Sequence, residues 1–205
     1  RLFPRKLCWS EMHLVAFVLY NGILAILLLL LAPYYSILFF LNHNKARRFW
    51  RRFSIPLNYT DRFESSIVIH AASAGEVKLA GKLVSELRSR GLKDPIVLTT
   101  ETHSGKLTAQ NKLSNQVAKV LLLPFDFTFL MKQVVKLTSP YIFIVIEANI
   151  TPNLLKIMAS NHVKIVMVNG WLGKKNLQFY KFIPGLLPSV LSFFDIFGVQ
   201  SQSDM

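Results

Sequence analysis

No Asp, Glu, Lys or Arg occurs between Glu11 and Lys45, and within that window Leu14 to Ala32 is almost wholly apolar. A run of that length is close to the roughly 20 helical residues that cross a bilayer core. It predicts a short flank over residues 1–11 and a membrane anchor over 12–41, with Pro33 ending the straight span. Tyr34 to Phe40 would then lie in the interfacial zone, where Tyr is favoured. Lys45, Arg47, Arg48, Arg51 and Arg52 come next, interleaved with Phe49, Trp50 and Phe53. They outnumber Arg1, Arg5 and Lys6 on the other flank, so the positive-inside rule puts the residues after 45 in the cytoplasm. A cleaved signal peptide would share the basic start, but the apolar stretch is too long and no small-x-small cleavage site precedes a polar mature start. The five cations after the span are also a candidate membrane-surface patch, attracting anionic lipid at about 1 kcal/mol each.

The charge is unevenly spread. Residues 1–60 hold eight Lys or Arg against one acid, Glu11, while the rest hold sixteen against ten, for a net charge of +13. Such a surplus implies an anionic partner: nucleic acid, phospholipid headgroups or a phosphorylated glycolipid. The apolar span favours the lipid partners over nucleic acid. Cys8 is the single cysteine, which excludes an internal disulfide and a cysteine-based metal site. No His or Asp cluster has metal-ligand spacing, so no metal is expected. The chain starts on Arg1 and ends on Ser201–Met205 without evident terminal structure, and reads as a piece of a longer protein.

Pro56, Asn58 and Thr60 to Ser65 read as a linker, giving a basic juxtamembrane segment over 42–65. From there short apolar runs alternate with amphipathic ones. Strands are expected at Ser66–His70, Ile96–Thr99, Val117–Leu123, Tyr141–Ile146, Lys164–Val168 and Ile196–Gln200. Helices are expected at Val77–Arg90, closed by Gly91, at Lys106–Ser114, at Phe127–Leu137, from Pro152 with Thr151 as cap, and at Pro188–Phe194. This alternation predicts an α/β fold over residues 66–205 with a doubly wound parallel sheet.

In such sheets chemistry collects beyond the carboxyl ends of the strands. There the chain carries Ile67-Val-Ile-His-Ala-Ala-Ser-Ala-Gly-Glu76, and Glu76 is a candidate general base. Ser73-x-x-Glu76 is equally the spacing of a capping box, and the two roles are compatible: a helix N-terminus keeps a carboxylate ionised. Thr99-Thr-Glu-Thr-His-Ser-Gly105 reads either as a turn with Ser104 capping the next helix or as a polar cleft wall. Glu147 and Asn169-Gly170 follow two further strands. His70 and His103 are placed on strand-end loops. No G-x-G-x-x-G follows the first strand and no P-loop occurs anywhere, which removes the main support for dinucleotide or P-loop chemistry.

In these loops the chain resembles the Kdo transferases, which add 3-deoxy-manno-octulosonic acid to lipid A precursors. The matching segments are His70–Glu76, Thr99–Gly105, Leu123-Pro-Phe-Asp126, Glu147 with Pro152-Asn-Leu-Leu155, Asn169-Gly-Trp-Leu172 with Tyr180, and Gln200-Ser201, in that order. The resemblance implies a glycosyltransferase-B fold of two Rossmann-like domains, of which this chain is the first, acceptor-binding half. It implies an anchor at the cytoplasmic face of the bacterial inner membrane, and a second, absent domain holding the donor, CMP-Kdo. No further cofactor is implied. Glu76 matches the family's proposed base, with Ser73, Gly75, Thr102, Ser104, Glu147 and Asn169 as expected substrate-binding positions. Transfer would invert the anomeric centre without a required metal.

The chain departs from the family pattern at four positions. Asn149 and Thr151 stand where the family has a second Glu and a Trp. Trp171 and Gly173 stand where it has Asn-x-Arg-x-Ser, which removes a cation that Lys174 or Lys175 need not replace geometrically. These departures keep a second class of function open, a non-catalytic membrane-tethered glycolipid-binding or scaffold module.

Overall fold

The computed structural model describes residues 11–41, 43–53, 62–147, 150–170 and 182–199. The expected linker residues 54–61, together with Asn149, Trp171, Gly173, Lys174, Lys175, Tyr180 and Gln200-Ser201, lie outside the described residues. Six parallel strands form one sheet: β1 Ser66–His70, β2 Ile96–Thr100, β3 Lys119–Leu122, β4 Pro140–Ile146, β5 Lys164–Gly170 and β6 Ile196–Val199. Their order is β3-β2-β1-β4-β5-β6, so the winding direction reverses between β1 and β4. Ile67 sits in register with Ile96 on one side and Ile142 on the other. The fold is the Rossmann-like α/β sheet that the alternation predicts.

Every residue of β1 and β2 is buried, the condition that favours continuous Ile and Val runs in parallel sheets. Alternate side chains point to opposite faces. Ile67 and Ile69 face a core shared with Val77, Ala80 and Val84 of α3 (Ala74–Ser89) and with Ala109 and Leu113 of α4 (His103–Leu113). Val68 and Phe143 face the other core, built with α5 (Thr128–Thr138), α6 (Pro152–Ser160) and α7 (Leu186–Leu191).

The apolar segment forms α1, Glu11–Leu41. His13–Phe40 is long and apolar enough to cross a membrane. Pro33 lies inside it, and the helix runs on for two more turns to Leu41. The stretch beyond Pro33 is held by α2 (His43–Trp50), whose Phe49 ring stacks on Tyr35 at 3.9 Å and 4°. One stripe of α1 docks on the globular domain, with Ala16, Phe17 and Tyr20 buried and Phe17 lying 6.1 Å from Phe193. The opposite faces leave Leu29, Leu30 and Phe40 exposed.

Two helix caps differ from the sequence expectation. At α4 the cap is Thr102, whose extended backbone (φ −109°, ψ 148°) starts the helix one residue before Ser104 and whose hydroxyl accepts from Gly105 N–H. At α6, Pro152 takes the first turn as expected, but the Thr151 side chain makes no cap bond. The Asp126 carboxylate does so instead, accepting from the N–H groups of Asn153 (2.8 Å) and Leu154 (3.0 Å).

Candidate active site

β1 and β4 flank the point where strand order reverses, and the crevice beyond their carboxyl ends is the usual ligand site of such sheets. Glu76 follows β1 and Glu147 follows β4, so the topology brings both carboxylates to that crevice. Glu101, directly after β2, joins them. It is close enough to act electrostatically on Glu76, His70, Arg52 and Asp126.

Glu76 lies in the first turn of α3 and is 9% exposed. Both halves of the capping box form. The Glu76 N–H donates to Ser73 Oγ at 3.3 Å, and the Ala72 N–H donates to Glu76 Oε2 at 2.8 Å. The Ser73 side chain is a second hydrogen-bond partner of the carboxylate. Burial pushes the Glu76 carboxyl up, the Ala72 and Ser73 hydrogen bonds oppose this, and the charges of Glu147 and Glu101 add to the rise. A carboxylate held in place by two neighbours and with a raised pKa is suited to accept a proton.

The loops around it are tied to one another. The Ala72 carbonyl accepts from Glu101 N–H, Thr102 N–H, Thr100 Oγ1 and Thr102 Oγ1. The Thr102 hydroxyl also accepts from Gly105 N–H and Ser104 Oγ, so it is fully spent on holding the loop. Ser104 is exposed in the first turn of α4. At Gly75 an added Cβ would meet nothing nearer than Ser73 Oγ at 3.7 Å, leaving open backbone beside Glu76. Glu147 has φ +62° and Asn169 has φ +60° at the ends of β4 and β5. The left-handed region is ordinary for Asn but strained for Glu, and such strain clusters at functional sites.

His70 is not on a loop: it is the last residue of β1 and fully buried. Its Nδ1 lies 3.0 Å from Thr99 Oγ1, while Nε2 has no hydrogen-bond partner and lies 3.7 Å from Glu101 Oε1. Burial lowers its pKa and keeps the ring neutral, against the pull of Glu101. His103 opens α4 and is exposed.

Of the expected membrane-surface cations, Arg47 and Arg51 are exposed, and the side chains of Lys45 and Arg48 lie outside the described residues. Arg52 is placed differently. Its guanidinium lies over the Phe125 ring at 4.4 Å with Nε buried and without a hydrogen-bond partner, and burial lowers its pKa while Glu101 opposes this. Arg52 thus belongs to the electrostatic neighbourhood of the crevice rather than to an outer collar.

From the sequence, Glu101 has no role of its own and Arg52 is grouped with the membrane-surface cations. Glu101 carried a legible signal, since it follows its strand as directly as Glu147 follows β4. Arg52 carried none, because its neighbours come from distant segments.

The profile of the family described as 3-deoxy-D-manno-octulosonic-acid transferase (kdotransferase) matches residues 47–205. A 3-deoxy-D-manno-octulosonic acid transferase of Chlamydia trachomatis serovar D is 26% identical over 187 residues, covering 90% of this chain and 43% of the relative. That of Rickettsia bellii is 28% identical over 181 residues, covering 86% and 42%. A bifunctional glycosyltransferase/methyltransferase of Fusobacterium nucleatum is 29% identical over 142 residues, covering 69% and 22%. The chain therefore spans less than half the length of these relatives. With the profile covering the whole α/β sheet and its strand-end loops, the chain belongs to the 3-deoxy-D-manno-octulosonic-acid transferase family, a family of glycosyltransferases.

Proposed function

We propose that this chain is the acceptor-binding half of a membrane-anchored Kdo transferase of the glycosyltransferase-B type, with Glu76 as the general base. A sugar hydroxyl of a lipid A precursor loses its proton to the Glu76 carboxylate as its oxygen attacks the anomeric carbon of Kdo. The bond to CMP breaks, the electron pair leaves with the phosphate, and the anomeric centre inverts. A second domain beyond this chain holds CMP-Kdo. Ser73, Gly75, Glu147 and Asn169 shape the acceptor side of the crevice, and the exposed faces of α1 hold the protein at the cytoplasmic face of the bacterial inner membrane.

The observation that carries this reading is the state of Glu76: a carboxylate held by Ala72 N–H and the Ser73 side chain, its pKa raised by burial, at the reversal point of the sheet. Glu76→Gln in the complete protein is the informative variant, because Gln also completes a capping box. The expected result is an unchanged melting temperature with the Kdo transfer rate reduced by about 10²–10⁴-fold, the usual worth of a general base. A rate within a few fold of wild type would remove Glu76 from catalysis.

A second reading is a non-catalytic glycolipid-binding module, favoured by the fully formed capping box, which gives Glu76 a structural role of its own. Under it the complete protein would bind the glycolipid without transferring a sugar to it, and Glu76→Gln would leave that binding unchanged.

A further inference from the structure

A cavity of about 1100 Å³ lies between α5 and α6 and reaches the N-terminal ends of β4 and β5, at Pro140 and Val163. Glu76, Glu101 and Glu147 are at the opposite edge of the sheet. The groove is lined by Arg62, Lys132, Lys136 and Lys156 against one acid, Glu64. Lys132 and Lys136 stand four residues apart on α5, a spacing at which like charges repel. Lys136 lies in the last turn of α5, where the helix dipole favours a cation, but Lys132 is in mid-helix and has no such compensation. Neither lysine forms an ion pair among the described residues, and Arg62 forms none either.

The groove opens against the apolar helix. Asn21 of α1 lines it, and the Lys156 ammonium lies 4.5 Å over the ring of Phe17 of α1. We propose that this groove binds the phosphate headgroup of an anionic phospholipid from the membrane that holds α1. Charge complementarity selects the anion, and the wall supplied by α1 places its mouth where lipid surrounds the apolar faces of that helix. The cavity is large enough for such a group. The assignment rests on the reading of α1 as a membrane helix, and it concerns a surface separate from the basic segment after the span.

The test uses the complete protein in neutral detergent micelles, with phosphatidylglycerol or phosphatidylcholine added. Phosphatidylglycerol is expected to raise the melting temperature by about 3 °C or more, phosphatidylcholine by less than about 1 °C, with the difference shrinking as salt rises. Lys132→Ala/Lys136→Ala should abolish the difference, and Lys132→Arg/Lys136→Arg should retain it. Equal effects of the two lipids would overturn the proposal, as would a difference that survives in the Ala variant. An equal rise with inorganic pyrophosphate would overturn the lipid assignment in favour of a soluble phosphate. Alkaline carbonate extraction separates the premises: release from membranes refutes the helix reading, whereas retention without headgroup preference refutes only the groove.

Discussion

Gly105 occupies a position where a methyl group has nowhere to go. A Cβ there would collide with Thr100 Oγ1 and come within 2.9 Å of Thr102 Oγ1, the two hydroxyls that hold the Ala72 carbonyl. Gly105→Ala is expected to lower stability by about 1–3 kcal/mol, as overpacking does, and to loosen the Glu76 loop with it. Gly75 is the contrasting case, since a methyl group there touches only Ser73 Oγ at 3.7 Å. Gly75→Ala should leave the melting temperature unchanged or slightly raised, because Ala is the better helix former. A denaturation series on the two variants checks both outcomes. Both glycines stand in segments that the sequence marks as polar strand-end loops, but Gly105 follows two threonines whose hydroxyls close on it, and Gly75 has only Ser73 Oγ nearby. The hydroxyls that crowd Gly105 belong to its own segment, and their bonds to the Ala72 carbonyl after β1 hold them there.

At the scale of elements, α1, the β3–α5 connection and α6 are joined through one carboxylate. Asp126 accepts from Tyr20 OH of α1 at 3.0 Å as well as from the two α6 amides. Asn21 and Asn153 add a reciprocal pair of amide bonds at 3.1 and 2.9 Å. Burial pushes the Asp126 carboxyl up to about 7, against the hydrogen bonds from Asn153, Tyr20 and Leu154. A carboxyl whose folded pKa is raised contributes stability that is full below its unfolded pKa and is lost as pH rises through the folded value. Melting temperature should therefore fall from about pH 4 to about pH 7, and this slope should be weaker in Asp126→Asn. Thermal melts of both proteins across that range test it, and parallel slopes would refute it. The sequence marked Asp126 only as part of a short motif, and placed the cap of α6 on Thr151. The carboxylate that wins is 27 positions before its nearer amide and is invisible to a local capping rule.

At the scale of the whole molecule, the sheet separates two cores, and α1 enlarges one of them. Phe143 is fully buried at the centre of the α5–α6–α7 core that also takes up Phe17 and Tyr20. Phe143→Ala should cost about 3–5 kcal/mol, read as a lower urea midpoint with an unchanged m-value. The strands, their parallel arrangement, the long apolar helix and the polar loops at the strand ends were all determined by the sequence alone. Side-chain periodicity, turn residues and apolar length are local properties, and an alternating β-α pattern has few compact solutions. What only the tertiary structure decided is which distant groups meet. Tyr20 and Asp126 lie 106 positions apart, and the neighbourhood of Glu76, Glu101 and Glu147 exists because β2, β1 and β4 are adjacent in the sheet. Arg52 on Phe125, the docking of α1 and the burial that raises Glu76 and Asp126 share that origin. Burial and electric field at an atom are set by everything packed around it, so they become definite only once the strand order has closed the sheet.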